Sequence, residues 1–265
     1  MVLSTQCLVV HKHQSSNLII NDMSSSASTS IDTLAPGARH QAPSTKMAWW
    51  KILTVILLLY TAVTGFLLPV PRLAIVNESI RNLYFHVPMW FAMMVILGTS
   101  VFRSMQYLHK PSARLDILSH EAAKSGIVLG ILGLTTGSLW AKYTWGAWWT
   151  PDPRLNAAAV ALLIYGAYLV LRGSFRDEQQ RARVSAIYNI FAFAAAIPLL
   201  FILPRISGNS LHPGQTGNPG FNKYDLDSTM RMVFYPAVIG WILFAFWMTQ
   251  VSSRLAFLKL KLDEK

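Results

Sequence analysis

Ile52-Leu-Thr-Val-Ile-Leu-Leu-Leu-Tyr-Thr-Ala-Val-Thr-Gly-Phe-Leu-Leu-Pro-Val70 runs for 19 residues without an Asp, Glu, Lys or Arg. A bilayer core about 30 Å thick takes roughly 20 apolar residues of helix, so this stretch reads as a membrane span. Outward from it lie five more runs free of those charges: Leu83 to Phe102, Ser125 to Ala141, Leu155 to Leu171, Val184 to Leu203 and Met232 to Val251. The composition agrees, with 53% apolar or aromatic residues and only 13% charged across 265 residues. An ordinary soluble domain carries about 25% charged residues. The expected fold is therefore an all-α integral membrane protein of six transmembrane helices. Internal Gly65, Pro88, Gly130, Gly133, Pro198 and Pro236 are tolerated in such helices when neighbours satisfy the freed backbone groups. The Gly130, Gly133 and Gly137 spacing suits a small-residue packing face.

Positive charge near span ends stays cytoplasmic. One side would carry Lys46, Lys51, Arg103, Lys110, Arg114, Lys124, Arg172, Arg176, Arg181, Arg183, Arg254, Lys259, Lys261 and Lys265. The other would carry Arg72, Arg81, Lys142, Arg154, Arg205, Lys223 and Arg231. Fourteen against seven places both termini inside. The net charge of +11 then fits an anionic lipid surface rather than nucleic acid. Residues 1–46 are polar, with a low-complexity run from Ser24 to Ser30, and read as a disordered tail. Met47 would be a natural start for the first helix. Residues 47–255 form the membrane domain in this division, and 256–265 a charged cytoplasmic tail.

The span interiors hold no carboxylate or basic group, which argues against a proton-driven transporter. A single cysteine, Cys7, leaves no CxxC or thiolate zinc site. There is no phosphate loop for ATP hydrolysis and no C-x-x-C-H for covalent haem. The chain is accordingly expected not to be an enzyme.

Of seven histidines, His11, His13 and His40 fall in the tail, His109 and His120 inside, and only His86 and His212 outside. His86 lies about one turn into the second span in an apolar context, and His212 lies in a Gly/Pro-rich outer loop. Taken singly, the first could be an interfacial histidine bonded to a carbonyl and the second a solvated loop residue. On the same face, Trp140, Trp145, Trp148 and Trp149 fall within ten residues. One or two would be ordinary interface anchors, whereas four in a short loop could build a flat apolar platform. Two imidazoles, a tryptophan shelf and nearby cations suit haem, a flat apolar macrocycle whose iron takes axial imidazoles and whose propionates pair with Arg or Lys.

Trp145-Gly-Ala-Trp-Trp-Thr-Pro-Asp-Pro-Arg154, Tyr84-Phe-His-Val-Pro88 and Leu211-His-Pro-Gly214 resemble motifs of the haem-delivery C proteins of cytochrome c maturation. Residues 47–255 carry the resemblance. It implies a protein of the bacterial inner membrane that holds haem b non-covalently at the periplasmic face. His86 and His212 match the axial ligands, and Trp145, Trp148, Trp149 and Asp152 match the loop that contacts haem and its acceptor. Arg81 and Arg154 are the expected propionate partners by proximity, with Lys142 and Arg205 snorkelling at the interface. The implied partners are a membrane-anchored periplasmic haem chaperone, the subunits of an ABC transporter and a small single-span subunit, all within membrane lipid. Pro151 and Pro153 stand where the commoner pattern has Trp and Ala, which stiffens the loop. Two competing readings are a single-protein cytochrome c synthetase of the same superfamily and a cytochrome b-type electron carrier. The first usually has more spans and a transmembrane histidine pair, and the second needs histidines on facing helices.

Overall fold

The computed structural model describes residues 48–71, 76–208, 210–212 and 226–263. The expected tail over 1–46, with His11, His13 and His40, lies outside the described residues, as do Arg72 and Lys223. The described residues are helices and their connections. They comprise α1 (Trp49–Leu67), a 3₁₀ turn (Glu78–Asn82), α2 (Leu83–His109), α3 (Ala113–Trp145), α4 (Pro153–Gly173), α5 (Glu178–Ile197) and α6 (Ser228–Asp263). Beyond α5 the chain winds into a wider π-helical turn, Pro198–Ile202, and then a final α-helical turn, Leu203–Ile206. All six spans read from the sequence are present as helices long and apolar enough to cross a bilayer.

The helices outrun the charge-free stretches, because charge costs nothing once a helix has left hydrocarbon. α3 starts at Ala113, where the Ser112 hydroxyl accepts the Leu115 N–H at 3.3 Å as an N-cap. It stops at Gly146, whose φ of 82° is open to glycine and costly elsewhere. α6 runs to Asp263, so residues 256–263 continue the last helix. Their Ala, Leu and Lys composition favours helix, and cations suit a helix C-terminus.

α2 is the hub: it packs along α3 and also against α5 and α6, while α1 lies chiefly on α6. A buried cluster of Ala92, Met93, Ile96, Leu97, Ala123, Leu129, Tyr165 and Tyr168 forms the central seam. Outward-facing Ile52, Val55, Ile56, Leu59, Val63 and Phe66 leave α1 apolar on its exposed side, as lipid contact requires and water would not favour. Lys51 lies 5.5 and 5.4 Å from the Trp50 and Trp247 rings, a cation between two interface aromatics.

Polar side chains also knit the bundle. The Asn189 amide donates to Ser100 Oγ at 2.8 Å and Ser104 Oγ at 2.9 Å, joining α5 to α2. Arg172 pairs with Asp116 through two bonds of 2.7 and 2.6 Å, joining α4 to α3. Interhelical bonds of this kind matter where helix association gains little from the hydrophobic effect.

Candidate functional site

At the end of the bundle where α1 finishes and α4 begins, a cavity opens between the helices. On α2, His86, Trp90 and Met94 line it, one turn apart on a single face. On α3 the lining residues are Gly133, Leu134, Gly137 and Trp140, and on α4 Arg154, Leu155 and Ala158. The π-helical turn and the turn after it add Leu200, Phe201, Pro204 and Arg205, and the loop beyond adds His212. The two histidines singled out by side therefore share one mostly apolar cavity.

The glycines of α3 make room for this arrangement. A methyl group at Gly137 would sit 2.7 Å from His86 Cε1, and one at Gly133 would sit 2.9 Å from the Trp90 ring. The small-residue face is thus fitted to the two rings, while Gly130 meets Met93 and Leu162. His86 Nδ1 lies 3.1 Å from Thr136 Oγ1. That hydroxyl has one proton and spends it on the Leu132 or Gly133 carbonyl at 2.8 or 3.0 Å. With its proton placed there, it accepts from the His86 Nδ1–H, the tautomer that leaves Nε2 with its lone pair.

His212 has a partner of a different kind. Its Nδ1 lies 2.9 Å from Asp152 Oδ1, close enough for an ion pair although the ring N–H is not aimed squarely at the oxygen. The indole rings of Trp145 and Trp140 stand 5.0 and 6.0 Å from the imidazole. Trp140 is itself fixed by a 3.1 Å bond from Nε1 to the Ser79 carbonyl.

Asp152, 1% exposed, is the N-cap of α4. Its Oδ1 accepts from the Arg154 and Leu155 N–H groups at 2.8 and 3.4 Å. Its Oδ2 accepts from Ser210 Oγ at 2.9 Å and Leu211 N–H at 2.6 Å. Burial alone would raise its pKa, but His212 and the Leu211 and Arg154 N–H groups outweigh that and hold it well below the usual carboxylate range.

The other expected site residues are placed less centrally. Arg81 is directed away from the cavity: its Nη1 donates to the Gly65 and Leu68 carbonyls at 2.9 and 2.6 Å, closing the C-terminus of α1. Arg205, expected to snorkel, lines the cavity beside Arg154. Trp145 touches His212, whereas Trp148 and Trp149 are 57% and 46% exposed on the loop outside. Trp149 Nε1 is held by Asn156 Oδ1 at 3.1 Å, and Lys142 Nζ bonds the Gly146 carbonyl at 3.1 Å. His109 ends α2 at the opposite end of the bundle, and His120 bonds Tyr168 Oη at 3.2 Å. Trp90, Met94 and Thr136 are the site residues that sequence reasoning did not assign, and Ser210 supports the Asp152 carboxylate. Spacing from His86 would have found the first two, since they follow at i+4 and i+8.

The sequence profile of the heme exporter protein C family matches residues 30–265. A Haemophilus influenzae protein named heme exporter protein C is 26% identical over 188 residues, covering 69% of this chain and 73% of that one. The Escherichia coli K12 protein of the same name is 26% identical over 206 residues, 78% of this chain and 81% of that one. A stretch of 101 residues is 36% identical to a Prochlorococcus marinus protein named cytochrome c biogenesis protein CcsA, covering 38% of this chain and 31% of that one. Because the family profile runs over far more than half of its length, the chain belongs to the heme exporter protein C family.

Proposed function

We propose that this protein delivers haem for cytochrome c maturation, as a multi-pass protein of the bacterial inner membrane, by holding haem b in this cavity without a covalent bond. The observation that carries the reading is the pair of imidazoles lining one apolar cavity, each with a partner at Nδ1 and so with Nε2 left to bind iron. Two nitrogen donors complete an octahedron only around a metal that arrives with four ligands already, as haem iron does. The apolar walls suit the macrocycle, and Arg154 and Arg205 suit its propionates. Haem is cargo here, so the chemistry asked of the chain is holding and release.

His86 and His212 serve as axial ligands in this reading. Trp140 and Trp145 flank His212, tilted and edge-on respectively, and exposed Trp148 and Trp149 offer the apolar shelf on which an acceptor docks. That acceptor is a membrane-anchored periplasmic haem chaperone, and the two-part ABC transporter and the small single-span subunit complete the assembly. The cavity end of the bundle faces the periplasm and both termini face the cytoplasm in this reading, which the Lys and Arg count supports. The region shared with the CcsA relative is short, and His120 is bonded to Tyr168 away from the cavity. The haem-delivery reading therefore stands ahead of the synthetase one, and no catalytic role is assigned.

The test is the absorption spectrum of detergent-purified protein, oxidised and reduced. Wild type expressed with ample haem should show a six-coordinate low-spin spectrum. His86→Ala and His212→Ala should each lose most bound haem or shift it to a five-coordinate form. A wild type that never carries haem, or two variants that carry it unchanged, would overturn the assignment.

A further inference from the structure

The two imidazoles are held by groups of different charge: a neutral hydroxyl at His86 and a carboxylate at His212. We propose that Asp152 is a positioning residue that sets His212 in the cavity and strengthens it as a ligand, so that the two axial nitrogens are unequal and His86 is the one that lets go first. The proposal rests on the haem-delivery reading above. It departs from the expectation that Asp152 contacts haem itself, because the Asp152 side chain is 0% exposed and both of its oxygens are engaged.

The geometry gives the carboxylate two tasks. As the cap of α4 it is fixed to the element that contributes Arg154, Leu155 and Ala158 to the cavity wall. Through Ser210 and Leu211 it ties the His212 loop to that same wall across 58 and 59 residues of chain. A free loop histidine would have to be ordered at each binding event, whereas this one is already in place. The second task is electronic. The Asp152 carboxylate, 2.9 Å from Nδ1, puts negative charge beside the ring, and an imidazole paired with a carboxylate is more basic at Nε2, binds iron more strongly and favours its oxidised state. His86 gains no such charge from Thr136.

The experiment uses the full-length protein in detergent, titrated with haemin, with redox titration of the bound haem. Wild type, Asp152→Asn and Ser210→Ala are compared. The amide keeps the shape of the cap and loses the charge, while Ser210→Ala removes the hydroxyl's bonds to Asp152 Oδ2 and to the His212 N–H and leaves the carboxylate on the ring. Asp152→Asn should raise the reduction potential and speed haemin loss several-fold, with Ser210→Ala close to wild type in potential. Equal potentials in wild type and Asp152→Asn, or equal shifts in both variants, would overturn the proposal.

A second arm leaves Asp152 untouched and so survives a misfolded Asp152→Asn. In His212→Gly, added imidazole should restore the six-coordinate spectrum at a concentration lower by about tenfold or more than 1-methylimidazole, which has no N–H for the carboxylate. Equal rescue by the two would overturn the proposal while leaving haem binding intact. A wild type that binds no haemin would overturn the haem-delivery reading and this proposal with it.

Discussion

Two arginines on the same side of the protein would, on the haem-delivery reading, separate structural from ligand-binding duty. Arg81 closes the end of α1 through two carbonyls, so Arg81→Ala should cost stability, about 1.5–3 kcal/mol for lost bonds to a charged group. Haemin affinity should change little. Arg205 lines the cavity, and Arg205→Ala should do the reverse, weakening haemin binding without moving the thermal midpoint. Measuring both quantities on both variants checks the assignment, and interchanged results would restore Arg81 as the propionate partner. Gly137→Ala is a third case. Its new methyl would press on His86 Cε1 at 2.7 Å, and such overpacking costs about 1–3 kcal/mol. The spectrum should lose its six-coordinate character before the fold is lost. The acid behaviour of Asp152 has a definite sign. Its folded pKa lies below its unfolded one, so the clamp contributes fully above about pH 4, the ordinary carboxylate value, and is lost as pH falls through the folded pKa. The thermal midpoint of haem-free wild type should fall more steeply on acidification than that of Asp152→Asn.

At the level of the helix, the pattern of charge showed where each span runs but not where each helix ends. A gap free of Lys and Asp marks hydrocarbon, while α3 and α6 go on past it through residues such as Asp116, His120, Lys259 and Lys261. Membrane depth and helical backbone are set by different physics, and only the first is written in composition. Half of the site was legible by the same token. His86, Trp90 and Met94 repeat every four residues along α2, as Gly133 and Gly137 do along α3. The other half depends on chain segments far apart: Asp152 with Ser210 and Leu211, and Arg172 with Asp116, whose spacing follows no helical period. Arg172 and Asp116 also invite a direct test, since their side chains are 11% and 14% exposed. Removing one member of a fully buried pair costs about 3–5 kcal/mol, so less is expected for this part-buried one, and replacing both with apolar residues of similar size costs less again. Thermal unfolding in detergent should therefore rank Asp116→Asn below the double variant Asp116→Leu/Arg172→Met.

For the molecule as a whole, six spans and an even count put the two ends of the described chain on one side of the membrane. Which side follows from the cation count, and cysteine labelling decides it. With Cys7 replaced by serine, a single cysteine at Tyr143, which is 82% exposed near the cavity end, should react with a membrane-impermeant maleimide applied to spheroplasts. One at Arg176, exposed at the other end, should react only after the membrane is opened. The opposite pattern would turn the cavity toward the cytoplasm and remove the periplasmic acceptor from the reading.

The wall formed by the π-helical turn differs in kind from the α2 and α3 walls opposite. Pro198 and Pro204 bracket Leu200 and Phe201, and neither proline has an N–H to give to the turn before it. A π-helical turn also holds one more residue than the α-helix around it needs. That wall therefore lacks the regular bonding ladder of an α-helix, while Gly133 and Gly137 give the facing wall close tolerances against Trp90 and His86. On the haem-delivery reading proposed above, the site would work like a vice with one fixed jaw and one sprung jaw: a rigid disc would be registered against α2 and α3, and its thickness taken up on the side of Leu200 and Phe201.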